Sequence, residues 1–138
     1  MSPVLLYVED SEDEVFAVRR ALGRYGSPVE LEHAVDGQAA LEWLEDALSR
    51  GAPLPRLILL DLNMPGMNGP TFLSELRERP ALDQVPVVVW TSSSEKAEVR
   101  STARLGARAY HVKPESPKDF ARRLHIVLDY WLHAVEVA

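Results

Sequence analysis

The sequence contains no cysteine, which excludes disulfide bonds, thiolate metal sites and cysteine nucleophiles. Positive charge is scarce as well, because 15 lysines and arginines stand against 21 acidic residues and the formal net charge is −6. This balance argues against a protein that binds nucleic acid phosphates. No apolar run approaches the roughly 18 residues of a membrane span, and no basic, apolar leader opens the chain. We therefore expect a cytoplasmic protein with no membrane partner.

What the sequence does contain is an ordinary globular composition, with 46% hydrophobic and 26% charged residues. Its 138 residues fit one domain with a real core. We expect that domain to cover residues 1–138, with a core over about residues 3–130 and a C-terminal helical extension over about residues 130–138.

Short apolar runs without polar alternation indicate parallel strands that are buried on both faces. Four such runs cover residues 4–8, 57–60, 87–90 and 109–112. A fifth run, over residues 29–35, alternates in part and indicates an edge strand.

Segments with helical spacing lie between these runs, and capping residues mark several of their starts. The expected caps are Asp36, Asn68, Ser92 in a capping box with Glu95, and Ser116 followed by Pro117. Five repeats of strand and helix predict an α/β fold with a parallel sheet and helices on both faces.

Polar side chains follow the strands at the edge where parallel sheets bind ligands. Glu9 and Asp10 follow the first strand, Asp61 ends the third, Thr91 follows the fourth and Lys113 follows the fifth. Carboxylates this close repel one another unless a cation lies among them, and an all-oxygen set favours Mg²⁺. We expect Asp61 to attack phosphorus while metal and ammonium offset the transferred charge.

The turn after Asp61 contains Asn63, Gly66 and Gly69. It can return the main-chain carbonyl of Asn63 to the metal. The two glycines permit backbone angles that other residues resist.

Four motifs at matching strand ends together resemble the receiver domain of two-component response regulators. They are Val8-Glu9-Asp10, residues 60–69, Trp90-Thr91-Ser92 and Lys113-Pro114. The resemblance covers about residues 3–130 and implies a doubly wound, flavodoxin-like receiver fold with a five-stranded parallel sheet in the order 2-1-3-4-5.

The resemblance implies that Asp61 is the phosphoacceptor and that a histidine kinase is the phosphoryl donor. It also implies that Glu9, Asp10 and Asp61 bind Mg²⁺, together with the main-chain oxygen of Asn63. Glu9 stands where aspartate is commoner in the family, and its extra methylene lengthens the reach to the metal.

Further roles implied by the resemblance fall on the fourth and fifth strands. Lys113 would pair with Asp61 and then with the phosphoryl group, and the Lys113–Pro114 bond would be cis. Thr91 and Tyr110 would form the switch, with Thr91 moving toward the phosphoryl group while Tyr110 turns inward. This change would reshape the face of the fourth helix, fifth strand and fifth helix.

A narrower resemblance connects the chain to the small single-domain regulators paired with bacterial phytochromes. It rests on the opening at residues 8–13 and on a long fifth helix that ends over residues 130–135. It implies a bacteriophytochrome as the partner kinase. Apolar residues off the sheet-facing stripe of this helix favour a homodimer, with a tail folded onto its own domain as the alternative. These residues are Ile126, Tyr130, Leu132 and Val137.

The function predicted from these patterns is that of a stand-alone response regulator, not an enzyme with turnover. One alternative is a phosphorylation-independent dimeric scaffold. Another is a Mg²⁺-dependent aspartyl-phosphate phosphohydrolase of the haloacid dehalogenase kind, but that class has a second acid two residues after a nucleophile on the first strand. Glu12, Asp13 and Glu14 are interpreted as a solvated helical turn, and the four histidines as structural or surface residues.

Overall fold

A computed structural model describes residues 2–134, and in this part of the chain five strands alternate with five α-helices. The elements are β1 (Val4–Val8), α1 (Glu12–Gly23), β2 (Glu30–Ala34), α2 (Gly37–Arg50), β3 (Leu57–Leu60), α3 (Gly69–Arg77), β4 (Val87–Thr91), α4 (Lys96–Arg104), β5 (Ala109–Val112) and α5 (Pro117–Leu128). A π-helix, Asp129–Ala134, continues α5. None of the helices described is long and apolar enough to cross a lipid bilayer.

The five strands form one parallel sheet in the order β2-β1-β3-β4-β5. The predicted doubly wound fold and strand order are therefore confirmed, with β2 at an edge. Val8 is the register partner of both Ala34 and Leu60, so β1, β2 and β3 end level with one another. The residues that follow β1 and β3 are therefore neighbours at the carboxyl edge of the sheet.

Two hydrophobic cores lie on opposite faces of the sheet because successive side chains of a strand point to opposite faces. Leu6 and Val8 of β1 pack with α2 and α3, whereas Leu5 and Tyr7 pack with α1 and α5. Tyr7 is fully buried on the second of these faces. This placement brings its hydroxyl under the loop that follows β1.

Most of the predicted helix caps are present. Asp36, Asn68 and Ser116 each accept a hydrogen bond from the backbone N–H three residues ahead, at 2.8, 3.0 and 3.1 Å. Pro117 occupies the first turn of α5, where its missing N–H costs nothing.

The predicted capping box of α4 is wrong. The helix begins at Lys96 after an N-cap residue, Glu95, whose side chain makes no cap hydrogen bond. The serine side chain that binds the backbone before this helix is Ser93 and not Ser92, because the Ser93 hydroxyl accepts a hydrogen bond from the Glu95 N–H at 3.3 Å. This local hydrogen bond is the kind of alternative that serine offers to a helical cap.

The C-terminal π-helix changes which side chains face the core. Leu132, predicted to lie off the sheet-facing stripe, is buried. That prediction is wrong because the wider π-helical turn rotates the later residues relative to α-helical spacing. Arg56 fixes the segment by donating to the Leu132 carbonyl at 3.2 Å, and Tyr25 donates to Asp129 at 2.6 Å. Val137 lies outside the described residues.

Candidate functional site

Three carboxylates meet at the carboxyl edge of the sheet. One oxygen from each of Glu9, Asp10 and Asp61 lies within 4.8 Å of the others. Glu9 is only 1% exposed and Asp61 is 7% exposed, whereas Asp10 is exposed to solvent. The cluster is therefore buried at Glu9 and Asp61 and open to solvent at Asp10.

Backbone hydrogen bonds that continue the sheet by one residue align this cluster. Asp61 donates its N–H to the Val8 carbonyl at 3.1 Å, and Glu9 donates to the Ala34 carbonyl at 2.9 Å. The Nε2 atom of His33 lies 2.6 Å from the Glu9 carbonyl, which can only accept, so this ring nitrogen carries the proton. His33 thus has the structural role expected of it, since it holds the main chain at Glu9.

The Glu9 carboxylate is held by three donors. Its Oε1 atom accepts from Lys113 Nζ at 2.8 Å and from the Tyr7 hydroxyl at 3.1 Å, while Oε2 accepts from the Ser11 N–H at 3.3 Å. Burial raises the pKa of Glu9, but the hydrogen bond and charge of Lys113 outweigh burial and leave the pKa lowered. Glu9 therefore remains ionised inside the protein.

Asp61 is in a less favourable environment than Glu9. Burial raises the pKa of Asp61, the charge of Lys113 opposes that rise, and the neighbouring Glu9 adds to it, with a result of about 6. The Thr91 hydroxyl lowers the pKa by a smaller amount. One ammonium therefore does not neutralise the clustered acids, and a divalent cation with oxygen ligands fits this donor set.

Lys113 pairs with a different acid from the one predicted. Its side chain is 7% exposed and its Nζ lies 2.8 Å from Glu9 and 3.5 Å from Glu14, with no ion pair to Asp61. The predicted Lys113–Asp61 pair is thus absent, because the longer Glu9 side chain reaches the ammonium and is itself held by two other donors. Burial lowers the pKa of Lys113, but the acidic partners outweigh it and raise the pKa.

Two further expectations about this region are corrected by the structure. The Lys113–Pro114 bond is trans, since residues 2–134 contain no cis peptide bond. Trans is the intrinsically favoured form of such a bond, by about 0.5–1 kcal/mol. Glu14 is more than a solvated residue of the first helical turn, because it lies against Lys113. The sequence signal for this contact is its position in the first turn of α1, four residues after Asp10.

The proposed switch residues lie beside the cluster on β4 and β5. Thr91 is fully buried, and its hydroxyl accepts the Ser93 N–H at 3.4 Å. The half-buried Tyr110 packs against the core on the α2 and α3 side and donates its hydroxyl to the Ser93 carbonyl at 2.8 Å. The ring of Tyr110 therefore already lies inward, and Ser93 connects it to Thr91.

The turn between β3 and α3 approaches Asp61 closely. Gly66 has a φ of +74°, which confirms that glycine is used there for its backbone angle. The same prediction is wrong for Gly69, whose φ is not positive. Gly69 is needed for space instead, because a Cβ atom there would lie 2.9 Å from the Asp61 carbonyl oxygen. Asn63 is exposed in this turn, and the part of its main-chain oxygen in metal binding stays a prediction.

A cavity of about 830 Å³ opens beside Lys113, between α1 and the start of α5. The sequence did not indicate it, since it joins elements that are distant along the chain. Apolar side chains contribute to its lining, among them Phe16, Ala17, Val112, Phe120 and Ala121. Phe16 is 61% exposed at this cavity.

The chain belongs to the receiver domain family of response regulators, because the family model described as "Response regulator receiver domain" matches residues 5–125. It is 34% identical over 133 residues to the response regulator Rcp1 of Synechocystis sp. (strain ATCC 27184 / PCC 6803 / Kazusa), which covers 96% of this chain and 90% of Rcp1. It is also 34% identical over 129 residues to the probable methanogenesis regulatory protein FilR2 of Methanothrix harundinacea (strain 6Ac), covering 94% and 83% of the two chains.

Solved structures agree with this assignment. The phosphorylated cyanobacterial phytochrome response regulator RcpA superposes with a TM-score of 0.90 at 26% identity, over 99% of both chains. The Mn(2+)-bound form of Rcp1 superposes with a TM-score of 0.86 at 33% identity, again over 99% of both chains. The predicted likeness to receivers, and to phytochrome-associated regulators among them, is confirmed.

Proposed function

We propose that this protein is a response regulator that accepts a phosphoryl group on Asp61 from a histidine kinase and then switches its protein contacts. The observation that carries the proposal is the meeting of Glu9, Asp10 and Asp61 at one open edge, with the buried ammonium of Lys113 beside them. The likeness to RcpA supports a bacteriophytochrome as the donor kinase.

The acidic cluster is suited to Mg²⁺, which we propose as the cofactor. Glu9, Asp10 and Asp61 would hold the ion with the main-chain oxygen of Asn63. When bound, Mg²⁺ neutralises charge among the carboxylates and on the transferred group. The Mn(2+)-bound structure of Rcp1, a similar protein, supports a divalent ion at this site.

The reaction assigned to Asp61 is an in-line transfer from a phosphohistidine. A carboxylate oxygen of Asp61 attacks phosphorus and forms an O–P bond, while the N–P bond breaks and its electron pair returns to the imidazole of the donor. With a pKa of about 6, Asp61 is mostly ionised at neutral pH and available as the nucleophile. Lys113 and Thr91 then supply a positive charge and a hydroxyl to the phosphoryl oxygens.

Intact-protein mass spectrometry after incubation with acetyl phosphate and Mg²⁺ tests this proposal. We expect one added phosphoryl group, which EDTA prevents and which Asp61→Asn abolishes. Asp46→Asn, an exposed aspartate on α2, is the matched control and should be labelled like the wild type. Absence of any adduct would favour the scaffold alternative, and steady release of phosphate from a small ester would favour the phosphohydrolase.

The cavity between α1 and α5 is the surface that we propose for the kinase. It reaches Lys113 and Ser92, so a partner seated there lies next to the phosphoacceptor. Phe16→Ala should slow transfer from the kinase about tenfold or more, as loss of an exposed aromatic anchor does at an interface. Labelling by acetyl phosphate should be unchanged. Equal loss with both donors would mean that Phe16 acts on the site itself.

A second copy of the chain is the partner that we propose for the exposed apolar side chains near the C-terminal end of α5. Ile126 on α5 and Tyr130 on the π-helix that continues it are 56% and 54% exposed, and Val99 on α4 is also exposed. A homodimer through α4, β5 and α5 would cover them. Light scattering should give twice the monomer mass, and Ile126→Arg should restore the monomer. A monomeric wild type, with and without acetyl phosphate, would contradict the dimer.

A further inference from the structure

Tyr7 places a buried hydroxyl against the acidic cluster. The ring is fully enclosed in the core beneath α1 and α5, and its hydroxyl donates to Glu9 Oε1 at 3.1 Å. An ionised carboxylate can only accept hydrogen bonds, so the phenol is the donor in this contact. None of the motifs that indicate the family includes Tyr7.

The same oxygen of Glu9 also accepts from Lys113, and the two donors differ in their freedom. Lys113 ends a long flexible side chain and is the single ammonium paired with the site acids within residues 2–134. Under the proposed function it must turn toward the phosphoryl group on Asp61. Tyr7 stays in place because its ring is packed on all sides.

When Lys113 turns away, Glu9 would be left as a buried carboxylate with one donor fewer. A buried charge without partners is costly, so the remaining hydrogen bonds decide whether the carboxylate keeps its position. We propose that Tyr7 is a positioning residue that holds Glu9 in the acidic cluster while Lys113 is engaged elsewhere. This inference rests on the proposed function.

The length of Glu9 makes this hydrogen bond possible. Tyr7 and Glu9 are two residues apart and share a face of the chain, so the phenol extends along β1 toward the carboxylate. An aspartate at position 9 would withdraw the carboxylate by about 1.5 Å, one carbon–carbon bond, and leave the hydroxyl without an acceptor. Tyr7 and Glu9 are therefore a matched pair.

Calorimetric titration of Mg²⁺ into the full chain, without a phosphoryl donor, tests the pairing. Lys113 would share the Glu9 carboxylate with a divalent ion and would be held there less firmly, so the need for Tyr7 would appear already in this binding step. Tyr7→Phe should weaken Mg²⁺ binding about three- to tenfold, the size expected for the net contribution of one intramolecular hydrogen bond. Tyr25→Phe removes a tyrosine–carboxylate hydrogen bond at Asp129 instead and should bind like the wild type.

A double-mutant cycle separates positioning from packing. In a Glu9→Asp background, Tyr7→Phe should change Mg²⁺ affinity no further, because the hydrogen bond is already lost. An equal loss in both backgrounds, or an unchanged affinity in Tyr7→Phe with or without a lower melting temperature, would overturn the proposal. If the wild type itself bound no Mg²⁺, the proposed function would fail. If the wild type and Tyr7→Phe bound Mg²⁺ equally well, the positioning role of Tyr7 would be refuted and the proposed function would stand.

Discussion

Replacing Asp61 with asparagine measures how strongly the acidic cluster opposes folding. Asp61 has a pKa of about 6 in place of 3.8, chiefly through burial, with Lys113 opposing the rise and Glu9 adding to it. That difference corresponds to about 3 kcal/mol of lost stability at neutral pH. Solvent at the exposed side of the acidic cluster reduces this free energy by screening, so Asp61→Asn should raise the free energy of unfolding by about 1–2 kcal/mol.

The gain from Asp61→Asn should depend on pH in a definite direction. Below about pH 4 the aspartate is protonated in both the folded and the unfolded protein and contributes nothing. Between about pH 4 and pH 6 the folded protein binds more protons, so wild-type stability from this group falls as the pH rises. The advantage of the variant therefore grows through this window and is complete above about pH 7.

Urea unfolding followed by circular dichroism, in EDTA at about pH 4 and about pH 7.5, measures this difference. Asp46→Asn, at an exposed site on α2, should show no comparable gain at the higher pH. A variant less stable than the wild type at about pH 7.5, or one whose gain is the same at both pH values, would refute the argument from the raised pKa of Asp61.

Three other perturbations follow from the same contacts. Lys113→Met should destabilise the protein by about 3 kcal/mol in urea unfolding, because it leaves Glu9 buried without its counterion; a loss below about 0.5 kcal/mol would contradict this. Mg²⁺ at about 100 times its Kd should stabilise the protein by about 2.7 kcal/mol in thermal melts, and Asp10→Asn should remove most of that gain. Gly106→Ala should cost about 1–3 kcal/mol, since Gly106 has a φ of +98° and a Cβ would lie 2.5 Å from Arg77 Nε; unchanged melting would count against the strain.

Much of the site could be predicted because its position follows from strand ends. Glu9, Asp10 and Asp61 follow strands that end level, and parallel pairing alone brings them to one edge. Helix caps such as Asp36 could be predicted equally well, because the hydrogen bond of a cap joins residues only three positions apart in the sequence.

Other features depend on distances that no local pattern contains. The choice of Lys113 between Glu9, Glu14 and Asp61 is decided by side-chain reach and by the donors already present at each acid. The burial of Leu132 depends on a π-helical turn, to which α-helical spacing does not apply. The hydrogen bond of the Tyr7 hydroxyl could not be predicted, because a tyrosine in an apolar run has the same sequence pattern as any other core residue of a strand.

The most direct test of the account is to locate the phosphoryl group chemically. Borohydride reduces an acyl phosphate on aspartate to homoserine, which peptide mass spectrometry identifies by position. After incubation with acetyl phosphate and Mg²⁺, we predict homoserine at position 61 and its loss when EDTA replaces Mg²⁺. Homoserine at another acid of the cluster, or labelling of Asp61 that is indifferent to the metal, would contradict the central claim.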